Sequence, residues 1–414
     1  MDATNKLFLT ALKAALSNKK AELPDDVTAA QWQALFRMAG IHNVLPLFYE
    51  AVYTEPSLQT EQALLAPVKS QIRMLLALQT QRTTEFLELN RRLQAAGVRP
   101  LVVKGIICRE LYPQPDHRPS SDEDVLIPAD RFALCHQVLS DYGMQSEKTP
   151  DAAVEDYEVS YRKPGSPVFI ELHKQLFPPA SDAYGELNRF FEGVFDRAVA
   201  EQIQGDTVYT LSPTDHLLYL LCHAFKHFLH SGFGIRQVCD IVLYANRYGK
   251  RVDWQRILEN CKAIRAEKFA AALFRIGEKY LVFDLDQAAW PEAWRQLQVD
   301  EQPMLEDLLS GGLYGSANRS RQHSSNITLD AVIAQKKGRK AKNGVISSAF
   351  PPVSYLEGRY PYLKRHRYLL PIAWCSRFWE YIKETRRSRD SNAADSLKIG
   401  SERVALMKVY GILE

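Results

Sequence analysis

The 414-residue sequence is poor in cysteine, and no two of its six cysteines stand in C-x-x-C spacing. Cys108, Cys135, Cys222, Cys239, Cys261 and Cys375 are scattered, which excludes a disulfide framework or a zinc ribbon and predicts a reducing, cytoplasmic setting. No uninterrupted apolar run reaches the ~18 residues that a membrane span requires. The residues from Met1 to Lys6 open an amphipathic helix, and Lys13 and Asn18-Lys19-Lys20 interrupt any signal-peptide-like core. Neither sign of charge dominates: 52 Lys and Arg against 49 Asp and Glu leave +3. That balance argues against a dedicated nucleic-acid coat and leaves room for a local basic patch. Internal repeats are lacking as well. Hydrophobic residues at 46% and charged residues at 24% exclude global disorder. At ~150 residues per domain, the length predicts two or three units, with a core that needs no covalent staple.

Residues 1–97 read as a helical lobe. Within 61–96, Leu64, Leu65, Val68, Ile72, Leu75, Leu76, Phe86, Leu89 and Leu93 recur at helical steps, and Gly97 supplies a stop. The texture then changes over 98–210. Pro100–Gly105 and Asp122–Ile127 predict strands, Pro128 opens a helix running to Tyr142, and Glu158–Arg162 and Val168–His173 predict two strands joined by a Pro-Gly-Ser-Pro turn. This alternation predicts an α/β (α+β) unit on a small mixed sheet, flanked by helical regions. Residues 211–300 form a helical region, with helices over 213–230, 233–248, 253–264 and 266–282. Residues 301–414 form a loop plus a C-terminal helical tail. In that last part, Gly311 to Asn326 reads as a loop, Lys336 to Lys342 as a solvated basic loop, and the aromatic stretch 355–381 as core packing.

The chemistry concentrates in 104–124. Alternation along a strand puts Asp122 and Asp124 on one side and Glu123 on the other. A rise of ~3.3 Å per residue separates the two Cα atoms by roughly 6–7 Å, a spacing at which two carboxylates can converge on a divalent ion. Magnesium suits such a pair, because it takes one or two carboxylates together with substrate phosphates. An acidic pair alone is common. This one opens a strand and follows another that ends in Gly105, where the backbone can approach a phosphate. In Val168–His173, Glu171 and His173 share a face, so Glu171 can serve as third ligand or as base, with His173 as support or as acid–base group.

Together, the strand ending in Lys104-Gly105, Leu111-Tyr112-Pro113, Arg118-Pro119-Ser120-Ser121-Asp122-Glu123-Asp124 and Glu171-Leu172-His173 resemble the bacterial nucleotidyltransferases of the polymerase-β-like superfamily, in an uncharacterised branch often found with surface-polysaccharide genes. The resemblance extends to Leu220–His227, Ile235–Asp240, Phe350-Pro351-Pro352, Arg359-Tyr360-Pro361, Leu369–Trp374 and Val409–Ile412. It implies a nucleotidyltransferase core in which Asp122, Asp124 and Glu171 are catalytic and hold Mg²⁺ or Mn²⁺. Lys104, Gly105, Arg118, Ser121 and His173 would bind substrate and phosphate. The implied substrates are an NTP and a small-molecule or glycan acceptor, with nucleic acid not favoured. The chain departs from the superfamily pattern in having Lys104 before Gly105, a long gap to Asp122, Glu123 between the aspartates, and Glu as third carboxylate.

Two other readings stand beside this one: a non-catalytic nucleotide-binding or scaffold protein that keeps the fold, and a toxin-like enzyme that modifies tRNA or protein. His216, His223, His227 and His230 lack the H-E-x-x-H pattern and read as packing or hydrogen-bonding residues, one of which could orient a substrate. Arg118 reads as a phosphate ligand or as a partner of a nearby Asp such as Asp116. Arg236 and Asp240, four residues apart, read as a pair along one helix.

Overall fold

A computed structural model describes residues 1–148, 154–312, 319–339, 353–356, 359–385 and 393–414. Helices α1 (Ala3–Leu16), α2 (Ala29–Ile41), α3 (Leu45–Val52), α4 (Pro56–Gln59) and α5 (Gln62–Ala95) fill the first part of the chain. Asp2 caps α1 by accepting from the Asn5 N–H at 2.7 Å, and Thr28 with Gln31 forms a capping box on α2. The long α5 buries Leu65, Val68, Ile72, Phe86, Leu89 and Leu93 and stops at Gly97, whose φ of 81° suits glycine.

The sheet is mixed, in the order β1-β2-β5-β4-β3. Strand β1 (Leu101–Val103) runs antiparallel to β2 (Glu123–Leu126), and β2 runs parallel to β5 (Phe169–His173). Beyond β5, β4 (Glu158–Arg162) and β3 (Gln145–Ser146) are antiparallel additions. Val125, Ile170, Leu172, Val159 and Tyr161 are buried and alternate with Asp124, Glu171, His173 and Ser160, so one sheet face is core and the other polar. Between β1 and β2 lies α6 (Gly105–Arg109), and α7 (Phe132–Asp141) follows β2 after a single 3-10 turn from Ala129 to Arg131.

Five helices follow: α8 (Pro213–Leu229), α9 (Ile235–Tyr248), α10 (Trp254–Ala263), α11 (Glu267–Tyr280) and the one-turn α12 (Glu292–Arg295). Ser212 and Pro213 start α8, and Asp253 caps α10. Then come α13 (Gln302–Gly311), α14 (Arg319–Lys336), α15 (Val353–Leu356), α16 (Leu370–Thr385) and α17 (Ala393–Val409). Helices α14 and α17 pack along each other. A Cβ on Gly400 would lie 2.6 Å from Ile327 Cδ1, so glycine permits that approach. Arg403 of α17 is buried and donates to the carbonyls of Phe228 and His230 at the end of α8, a favourable place for a cation.

Six features depart from the sequence reading. Strand β3 was not foreseen, nor was the hairpin β6 (Val199–Ile203)–β7 (Asp206–Thr210), which turns through Gln204 and Gly205, both at positive φ. The expected loop over 311–326 is helical from Arg319, while 313–318 lie outside the described residues. In α14 the buried hydroxyls of Ser324, Ser325 and Thr328 donate to carbonyls three residues back, so a polar sequence packs as a core helix. In the basic run, Lys336 belongs to this helix and pairs with Glu186, and Lys337 pairs with Asp182; residues 340–342 are outside the described set. Arg236 and Asp240 do not pair along α9, because Asp240 receives Arg118 and Tyr112 while Arg236 donates to the Pro119 carbonyl. The aromatic tail is only partly core. Leu363 and Ala373 are buried, whereas Tyr368, Ile372 and Trp379 face outward.

Candidate active site

Residue pairing on the sheet builds the site. Asp124 lies opposite Glu171 across the parallel β2–β5 ladder, and Ser160 lies opposite Glu171 across β5–β4. His173 sits two residues beyond Glu171 on the same face, opposite Glu158. Ligand atoms of Asp124, Glu171 and His173 lie within 4.8 Å of one another. Asp124 is buried. Its Oδ2 receives Lys104 Nζ at 2.8 Å, and its Oδ1 receives His173 Nε2 at 3.1 Å. Burial would raise the Asp124 carboxyl, but the Lys104 ammonium and His173 override it and hold the group well below the usual carboxylate range. Burial would lower His173, and its hydrogen bonds to Asp124 and Glu171 raise it instead to about 9. At neutral pH, His173 is therefore an imidazolium between carboxylates. For Glu171, the His173 contact favours the ionised form, while burial and the nearby Asp124, Glu158 and Asp122 charges outweigh it and raise the carboxyl.

Lys104 reaches Asp124 from a strained turn. Its backbone has φ 53° and ψ −117° at the junction of β1 and α6, a conformation that persists only when its surroundings enforce it. The enforcement runs through His216, whose Nε2 accepts the Lys104 N–H at 3.2 Å. His216 Nδ1 faces Thr210 Oγ1 at 3.1 Å, and that hydroxyl donates to the Val102 carbonyl at 2.6 Å. Because Nε2 accepts, the proton sits on Nδ1, and burial keeps this ring neutral by pulling it down to about 3. Gly105 is buried with φ 26°, and a Cβ there would lie 1.8 Å from Glu123 Oε2. Glu123 points to the opposite sheet face, where it accepts from the Ile106 N–H at 2.8 Å and from Arg109 at 2.5 Å. That buried pair accounts for an acidic residue between the two aspartates.

The other expected site residues are dispersed. Asp122 precedes β2 and lines, with Glu171, Ser160, Arg162 and Phe169, a cleft of about 860 Å³ along the polar sheet face. It does not join the close Asp124–Glu171–His173 cluster. Ser121 lines the same cleft and donates to Asp122 at 2.8 Å. Helix α5 positions this loop: Gln79 accepts the Ser120 N–H, and Arg82 donates to the carbonyls of Ser120 and Pro167. Arg118 is buried and forms a two-pronged pair with Asp240 at 2.7 and 2.6 Å; Asp116 instead accepts from Thr80.

Helix α8 closes the other side with His223, whose Nε2 is 3.1 Å from Lys104 Nζ and 3.2 Å from His227 Nε2. Burial, then the Lys104 charge, lowers the neighbouring Lys226 amine. The sequence reading missed Glu158 and Lys226. The signal for Glu158 was present, since reflecting the hairpin about its Gly165–Ser166 centre pairs Glu158 with His173 and Ser160 with Glu171.

As a donor set, Asp124 and Glu171 fit a hard divalent cation, because their carboxylates are adjacent and offer oxygen ligands. His173 lies within reach of the same point, and its hydrogen bond to Asp124 supports that carboxylate.

The site thus consists of paired carboxylates on a mixed sheet beside the strained Lys104–Gly105 turn. Residues 28–281 match the profile of a family described as uncharacterised nucleotidyltransferase, and the chain belongs to that family. No curated protein matches it. Among solved structures, an antigenic nucleotidyltransferase-like protein from Paracoccidioides brasiliensis is 14% identical, over 50% of this chain and 96% of that one, with a TM-score of 0.31. A likeness that low carries no argument about the site.

Proposed function

We propose that the protein transfers a nucleoside monophosphate from an NTP to an acceptor hydroxyl or phosphate, as a member of the polymerase-β-like superfamily. The observation that carries this reading is the register placing Asp124 and Glu171 side by side on β2 and β5. Asp124 and Glu171, with Asp122 from the cleft wall, would hold Mg²⁺ or Mn²⁺. When bound, the ion would neutralise phosphate charge and orient the NTP. Lys104 is poised to move its ammonium from Asp124 toward the triphosphate, lowering the cost of charge developing on the leaving pyrophosphate. Glu171 borders the cleft, placed either to complete the metal set or, in place of that role, to take the proton of an attacking acceptor hydroxyl. His173 holds the Asp124 carboxylate in place. The cleft beside Asp122 and Glu171 gives the acceptor access, with Arg162 stacked over Phe169 at 4.9 Å on its floor.

One observation favours a second reading, a nucleotide-binding protein without catalysis: both Asp124 oxygens already engage cations of the protein. Thermal melts with each NTP separate the two. Catalytic use of the carboxylates predicts stabilisation that requires Mg²⁺ or Mn²⁺ and label transfer from the NTP to a component of a cell extract. Stabilisation indifferent to metal, with no transfer from any NTP, would establish the non-catalytic reading.

A further inference from the structure

Helix α16 turns an apolar stripe outward. Ile372 is 59% exposed and Trp379 73%, with Tyr368, just ahead of the helix, at 75%. Cys375 is exposed between them. Positions 372, 375 and 379 fall on one face of a helix. The opposite face is already packed: Ala373 is fully buried, and Leu370 and Trp374 lie against the cluster of Leu356 and Leu363. The outward stripe is therefore a second apolar surface on a helix whose inner face is satisfied.

The sequence around the stripe is one-sided in charge. Residues 359–389 contain nine Lys and Arg and two Glu, in a chain whose total is only +3. This segment carries +7 and the remainder −4. Arg365 and Arg367 are exposed next to Tyr368.

We propose that this segment is an interfacial anchor that lays α16 on an anionic lipid surface. Tyr368, Ile372 and Trp379 would enter the headgroup boundary, and the arginines would meet lipid phosphates. The 16-residue helix is shorter than the ~20 residues needed to span a bilayer, and its two-faced character fits lying in the interface. A second copy of the chain is a poor occupant, because it would bring the same positive charge against itself. Nucleic acid would use the arginines but gain nothing from exposed Ile372, since base stacking needs aromatic planes.

The test is co-sedimentation of the full chain with phosphatidylcholine vesicles, with and without about one-third phosphatidylglycerol. Binding to the anionic vesicles is expected to be at least about tenfold tighter and to weaken with salt. The pair Arg365→Glu/Arg367→Glu should lower it by about fivefold per arginine removed. Ile372→Glu/Trp379→Glu should abolish binding while leaving the thermal melt unchanged, because both side chains are exposed. Equal or absent binding to the two vesicle types would overturn the proposal. So would unaltered binding by either variant, displacement of the vesicles by RNA, or a dimer in sedimentation velocity that Ile372→Glu/Trp379→Glu disperses.

Discussion

At the scale of single residues, the two aspartates of one short motif have different physical situations, and that difference can be measured. Asp124 is buried between Lys104 and His173, whereas Asp122 stands at the cleft with Ser121 as its neighbour. Removing one charge from a buried, paired set leaves the remaining charges uncompensated, at a cost of about 3–5 kcal/mol. Asp122 is partly exposed and forms no ion pair among the described residues, so its replacement costs little. Asp124→Asn is therefore expected to lower the urea midpoint strongly as well as to abolish metal-dependent stabilisation by an NTP. Asp122→Asn should abolish the second and leave the first nearly intact. Equal stability of the two variants would show that the Lys104–Asp124–His173 set contributes nothing to the fold. The same burial explains why the sequence reading could name both aspartates yet not separate them, since spacing reports which face a side chain takes and says nothing of what waits there.

At the scale of elements, the loop that delivers β2 is tied on both sides. Helix α5 holds its Ser120 end, and α9 holds Arg118 through Asp240, which also accepts from Tyr112 at 2.7 Å. Asp240→Asn would strand a buried guanidinium. A loss of about 3–5 kcal/mol is expected, read as a lower urea midpoint, together with weaker NTP binding as the loop carrying Ser121 and Asp122 loosens. An unchanged midpoint would mean that Arg118 reaches solvent or a phosphate once Asp240 is neutral. Strands β1, β2, β4 and β5, helices α8 to α11 and the stop at Gly97 were legible, because each rests on local alternation, helical spacing, capping or a glycine turn. The Arg118–Asp240 pair was not, since its partners lie 122 positions apart and helical spacing offered Arg236 as the nearer choice. Helix α14 escaped for another reason: its buried serines satisfy themselves on their own backbone, so no apolar stripe marks it.

At the scale of the whole molecule, histidines set the response to acid. Burial keeps His42 down to about 4, His216 to about 3 and His230 to about 4, and His223 and His227 are lowered well below their usual value by burial and nearby cations. Each takes up a proton in the unfolded chain near pH 6.5 and resists it in the fold, so stability falls as pH drops below that value. The slope is about 1.4 kcal/mol per pH unit for each fully shifted group. His173 has the opposite sign. Raised to about 9, it stabilises the fold fully below pH 6.5 and loses that contribution as pH rises through 9. Asp124, held low, contributes above the ordinary carboxylate range and is lost only in stronger acid. The five histidines named first act on the acid side, and His173 acts on the alkaline side. Two of the five acting fully would remove about 3 kcal/mol per pH unit, enough to exhaust a typical stability of about 5–15 kcal/mol within a few units. Urea midpoints are therefore expected to decline gently from pH 7 to 9 and steeply from pH 6 to 4. His216→Asn, which keeps polar groups in the Lys104 turn without a titrating ring, should flatten the acid limb. A midpoint constant between pH 7 and pH 5 would show that these rings are protonated in the fold, and the neutral His216 bridge to Lys104 would fall with it.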